Sequence, residues 1–219
     1  MRSDSMIANV TIVDPLLTVG CPKRVTANSG IDAATHLIEA YTTWRANPIS
    51  DGLCMSGIEL VGKYLRRAYD DGNDIEAREG MSAAALIGGM AFANSGLGAA
   101  HGIGMAVGIA YNVPHGEACG IMLPHIMKLN APHVLSRMAR VGELLTGKHY
   151  ASEQEAADAA VDFIFDLCAH MDIKPDFKHL NIPKEQIPAL AKASFGTSMS
   201  SNPIQLTQEQ WEEFFATIM

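Results

Sequence analysis

Four side chains in this sequence have the types and spacing for metal chemistry: Asp32, His36, His101 and His115. Asp32 and His36 stand four residues apart, so on a helix they project from one face with Cβ atoms roughly 5–6 Å apart. His101 lies inside an uncharged run, residues 80–116, that holds no Lys, Arg, Asp or Glu. His115 sits in the turn Asn112-Val113-Pro114-His115-Gly116. One carboxylate and three imidazoles form an oxygen/nitrogen set suited to Fe2+ or Zn2+. Ca2+ and Mg2+ want mostly oxygen and fit it poorly. Each residue also has a plainer role. Asp32 early in a helix complements the dipole, His36 serves as an ordinary helical imidazole, and His115 simply opens a helix. His101 resists that reading, because a buried imidazole without charged sequence neighbours needs partners. Spacing and ligand type leave both possibilities open.

The elements that must carry these residues read almost entirely as helix. Apolar spacing predicts helices over 31–43, with Asn28-Ser29-Gly30 as capping chemistry, and over 48–69, 75–94 and 98–110. A fifth helix opens at His115 and is kinked or interrupted by Pro124. Amphipathic patterns follow over 133–145, 152–171 and 184–193, and the last helix, 207–218, has Thr207 and Gln210 at capping-box spacing. A β-branched run over 9–14, ended by Pro15, predicts one short strand. The expected fold class is all-α, a helical bundle with that strand at its front. The expected organisation is a junction segment over 1–27 and an α-helical metal-binding domain over 28–219.

Composition bounds the function. With 219 residues, 48% hydrophobic and 18% charged, the chain suits a globular domain with a sizeable core. A net charge of -8 argues against nucleic acid and anionic membrane surfaces as partners. Cys21, Cys54, Cys119 and Cys168 form no CxxC pair and read as free thiols of a cytoplasmic protein. The start, with Arg2 and Asp4, lacks the apolar region of a signal peptide. Within the uncharged run, residues 81–93 are too few to span a bilayer, and Asn94-Ser95-Gly96 breaks them from the next apolar stretch. The remaining histidines, His125, His133, His149, His170 and His179, read as surface groups or as supporting partners of a site.

Three stretches carry a family resemblance. Gly30-Ile31-Asp32-Ala33-Ala34-Thr35-His36-Leu37-Ile38-Glu39-Ala40-Tyr41 resembles a signature of the iron-containing (group III) alcohol dehydrogenases. So do Gly96-Leu97-Gly98-Ala99-Ala100-His101-Gly102 and Tyr111-Asn112-Val113-Pro114-His115-Gly116, the last continuing to Leu123-Pro124-His125. The resemblance covers nearly the whole chain, with Val13-Asp14-Pro15 and Asn202-Pro203 adding to it. It implies the C-terminal helical fold of dehydroquinate synthase-like and iron-containing alcohol dehydrogenases. It also implies that Asp32, His36, His101 and His115 ligate Fe2+, or sometimes Zn2+, and that Phe92 and Met105 line a substrate pocket. The implied activity is hydride transfer between an alcohol or aldehyde and NAD(P), with no catalytic residue beyond the metal ligands.

Two departures shape the expectation. Relatives commonly carry a histidine where Met105 stands, and a thioether cannot relay a proton. No glycine-rich phosphate loop precedes Asp32, so the nucleotide-binding domain of the family is expected to be absent and this chain inactive alone. The competing reading is a non-catalytic helical domain that binds metal or a partner. An apolar face left without its usual cover would favour a homo-oligomer.

Overall fold

The computed structural model describes residues 8–219, so Arg2 and Asp4 lie outside the described residues. It contains nine α-helices among the described residues and no strand. They are α1 (Lys23–Thr42), α2 (Pro48–Asp70), α3 (Ile75–Ser95), α4 (Ala99–Tyr111) and α5 (His115–Asn130). α6 (Leu135–Thr146), α7 (Glu153–His170), α8 (Ile187–Ser194) and α9 (Gln208–Ile218) complete the set. Short 3-10 turns at Pro15–Thr18, Ala131–His133, Lys178–Leu180, Lys184–Gln186 and Met199–Ser201 join them.

The bundle is built around α1, which packs on α2, α3 and α5. Its Ile31, Leu37, Ile38, Ala34 and Ala40 are fully buried, together with Ile58 and Leu65 of α2, Ile103 of α4 and Ile121 and Leu123 of α5. α2 with α3, and α6 with α7, form the two most extensive helix pairs, while α8 covers α4 and α9 covers α8. Local chemistry sets the ends. Asn47 and Ser50 form a reciprocal capping box at α2, and Thr207 and Gln210 form one at α9. Ser152 and Asp74 cap α7 and α3 through their side chains.

Two expectations are corrected here. The predicted strand over 9–14 is not formed: these residues are irregular, and Val10 and Ile12 are 79% and 88% exposed. A strand needs a neighbour to accept its hydrogen bonds, and no other strand exists among the described residues. The first helix also begins at Lys23, within the expected junction segment, so Asn28-Ser29-Gly30 is helix interior instead of cap. The Ser29 hydroxyl donates to the Val25 carbonyl, and Gly30 is a packing residue, where a Cβ would fall 2.2 Å from Leu65 Cδ1. Pro124 lies inside α5 without ending it.

The uncharged run becomes most of α3, all of α4 and the start of α5, with α3 and α4 meeting at 106°. It is not wholly interior: Leu86, Met90, Met105 and Ile109 are among the exposed large apolar residues. Leu86 and Val13 line one cavity of about 380 Å3 between the N-terminal segment, α1 and α3. No single helix among the described residues is long and apolar enough to cross a membrane.

One glycine governs how α5 meets α1. A Cβ on Gly116 would lie 2.1 Å from the backbone oxygen of Asn28, so only glycine lets the first turn of α5 seat there. Gly116→Ala should therefore cost about 1–3 kcal/mol, as overpacking against backbone does. Urea unfolding measures this, and a stability unchanged from the parent would show that the helices are not held that closely.

Candidate metal centre

Three helices deliver the candidate ligands to one place. Asp32 and His36 occupy successive turns in the middle of α1, His101 lies in the first turn of α4, and His115 opens α5. Both α4 and α5 point their N-terminal, positive ends toward the site, which favours a carboxylate there. The Asp32 carboxylate sits between the imidazoles. Its Oδ1 is 3.5 Å from both His101 Nε2 and His115 Nε2, and its Oδ2 is 3.8 Å from His36 Nε2. The His36 ring stacks on both His101 and Phe92, with centroids 4.6 and 4.7 Å away. The four ligand candidates are thus neighbours, and Phe92 is beside them.

Two polar atoms at the centre make no hydrogen bond. Asp32 Oδ1 and His101 Nε2 are buried and have no hydrogen-bond partner among the described residues. Orphaned groups of this kind each cost about 1–3 kcal/mol, so a folded protein rarely keeps two side by side without a ligand. Two donors about 2.1 Å from a shared tetrahedral cation lie about 3.4 Å apart, close to the observed spacing. The donor set and its geometry fit a divalent transition metal.

Two residues with no role assigned from the sequence complete the arrangement. Glu39, 4% exposed, receives the His101 Nδ1–H at 2.7 Å through Oε2 and the Ala100 N–H at 2.6 Å through Oε1. That bond directs the Nε2 of His101 at Asp32 and fixes the ring's orientation. Cys119 lies one turn after His115, and its Sγ belongs to a group with Asp32, His101 and His115 whose donor atoms all fall within 4.8 Å of one another. Sequence spacing held a signal for both: Glu39 is seven residues after Asp32, Cys119 four after His115, hence on shared helix faces. Asn202, fully buried, enters the sequence reading only within Asn202-Pro203 and without a role. It accepts the Ala99 N–H at the start of α4 and exchanges hydrogen bonds with Asn130.

Met105 is not gathered with the candidate ligands. Half-exposed on α4, it lines a groove of about 450 Å3 with Ile109, Gln186, Ala189, Leu190 and Ala193, which holds none of the four. The other histidines also lie apart. His125 bonds the Pro175 carbonyl, His170 pairs with Asp70, His149 with Glu143, and His179 bonds the Asp176 carbonyl.

Burial and charge compete throughout the cluster. Burial opposes a charge on His101, but Glu39 and Asp32 outweigh it and raise the imidazole to about 9. Burial pushes His36 down, so its ring is neutral with a free lone pair at pH 7. Burial also works against ionising Asp32, yet the facing imidazoles prevail and hold its carboxyl below the usual range. The Cys119 thiol is held well above its ordinary value, first by burial and then by Asp32 and Glu39.

Comparison with known proteins places this geometry in context. Residues 26–219 match the family described as Fe-containing alcohol dehydrogenase family, C-terminal. Alcohol dehydrogenase 4 of Schizosaccharomyces pombe is 36% identical over 211 residues, 96% of this chain and 49% of that protein. The crystal structure of a 1,3-propanediol oxidoreductase superposes with a TM-score of 0.89 at 33% identity, over 94% of this chain and 55% of that one. A sulfoacetaldehyde reductase from Bifidobacterium kashiwanohense, solved in complex with NAD+, gives a TM-score of 0.87 at 30% identity, over 99% and 56%. The chain spans about half the length of the curated relatives it matches.

The charge arrangement has a direct consequence for the metal-free protein. His101 titrates near 9 when folded and near 6.5 when unfolded, so its stabilisation is full below pH 6.5 and fades as pH rises through 9. With chelator present, the urea midpoint should fall between those values, and His101→Gln should remove that slope. A midpoint that stays level across the window would contradict the arrangement.

Proposed function

The chain belongs to the Fe-containing alcohol dehydrogenase family, and on that premise we propose that it is the metal-binding half of an NAD(P)-dependent alcohol dehydrogenase. The reaction is hydride transfer between an alcohol or aldehyde and a nicotinamide. One observation carries the reading: the orphaned Asp32 Oδ1 and His101 Nε2 face each other among His36 and His115.

Asp32, His36, His101 and His115 would hold the ion, Fe2+ first and Zn2+ as second choice. When bound, the ion supplies Lewis acidity toward an alcohol or aldehyde oxygen. The chain's own residues do the rest. Glu39 keeps the His101 ring aimed and its Nδ1 protonated. Phe92, stacked on His36, gives the substrate carbon an apolar wall. Met105 has no proton to relay, so proton exchange with solvent would need water or another group. The nicotinamide would be presented by residues other than these helices, since no glycine-rich strand-to-helix turn lies among the described residues. We place the protein in the cytoplasm as a homo-oligomer, with neither nucleic acid nor membrane as partner.

A second reading, a non-catalytic interaction domain, draws on the apolar side chains of the N-terminal segment, where Ile12 and Leu17 are 88% and 82% exposed. Light scattering with metal analysis separates the two: a metal-free, self-associated chain would favour the second.

Metal analysis of purified protein should find about one transition metal per chain, with Asp32→Ala and His101→Ala each weakening retention by at least about tenfold. Retention unaffected by both substitutions would end the metal reading. With Fe2+, NAD(P)+ and short alcohols the 219 residues alone should give no turnover, and robust turnover would refute the half-enzyme proposal while leaving the ligand set intact.

A further inference from the structure

We propose that Cys119 is an additional donor of this centre, a thiolate that biases it toward softer divalent ions, Zn2+ over Mn2+. The inference rests on the metal reading above. Cys119 is fully buried on α5, and its Sγ lies 3.6 Å from His115 Nε2. It shares with Asp32, His101 and His115 the tight donor group, all within 4.8 Å of one another. His36 is set differently, its Nε2 lying 3.8 Å from the other oxygen of Asp32. The second observation is His101 Nε2, on a side chain only 2% exposed, unpartnered and aimed into the same space.

The other buried thiols look unlike this one. Cys168 donates to the Gly120 carbonyl at 3.6 Å, and Cys54 belongs to no such donor group among the described residues. Cys119 instead faces an imidazole, and α4 is brought hard against it. A Cβ on Gly104 would lie 3.1 Å from both the Cys119 nitrogen and Sγ, so the thiol's place is fixed by packing. Sulfur–zinc bonds are about 2.3 Å, slightly longer than nitrogen–zinc, which suits a donor at the edge of the cluster. On binding, the thiol proton passes to the buffer and a metal–sulfur bond forms with no change of oxidation state. A sulfur donor raises affinity for Zn2+ more than for Mn2+.

Cobalt substitution tests this without any activity measurement. Apo protein is loaded with Co2+, and absorption is compared among the parent, Cys119→Ser and Cys119→Ala, with circular dichroism checking the fold. The parent should show a near-ultraviolet sulfur-to-cobalt band that both variants lose while keeping the visible d–d bands of the remaining donors. Zn2+ affinity should fall in the variants by at least about tenfold relative to Mn2+. Visible bands without a sulfur band in the parent, or a sulfur band that survives Cys119→Ser, would overturn the proposal. A parent that binds no Co2+ at all would instead remove the metal reading, and the thiolate with it. Should neither variant fold, a sulfur band that persists in Cys21→Ser supports Cys119, and its loss there overturns the assignment.

Discussion

The structure depends on one buried carboxylate. Glu39 sits near the middle of the bundle, 4% exposed, with one oxygen on the His101 ring and the other on the Ala100 amide. An isolated charge there would be costly to desolvate, so both oxygens must be engaged and the imidazole must stay within reach. Meeting that demand fixes the first turn of α4 against α1. The same bond turns the far nitrogen of His101 toward Asp32, which leaves two polar atoms facing one another unpartnered.

The rest of the fold can be understood as holding α1 still while α4 and α5 bring their first turns to it. α1 is buried along most of its length and touches α2, α3 and α5. Gly116 admits α5 to within contact of the Asn28 backbone, and Asn202, reaching from the C-terminal segment, secures the start of α4. Small residues dominate where helices cross near the site, so backbones approach closely and short side chains such as Asp32 and Cys119 can meet. The outer flank of α3 keeps Leu86 and Met90 in the open, beside an N-terminal segment that exposes Val10, Ile12 and Leu17.

Much of this was legible in the residue order, for reasons that differ by element. Helices with strong caps or sharp periodicity, such as α2 and α9, read nearly to the residue, because their ends are decided by local hydrogen bonds. The pairing of Asp32 with His36 followed from helical spacing alone, whereas their meeting with His101 and His115 is a long-range fact that only the motif resemblance anticipated. The start of α1 is hard to read because Lys23 to Asn28 mix polar residues with only Val25 and Ala27 and carry little period; burial of Thr26 and Ala27 holds the segment in the helix. The β-branched run before Pro15 had strand propensity but no partner. Glu39 and Cys119 share helix faces with named candidates, yet a face shared with solvent-exposed and buried residues alike does not say which side chain bonds what.

The double hold of Glu39 has a kinetic side. Because one carboxylate clasps both the Ala100 amide and the His101 ring, the first turn of α4 cannot fray without the ring swinging away, nor the ring leave without freeing the turn. The His101 ring would then be released only as often as that turn opens, which ties its orientation to local unfolding at the start of α4.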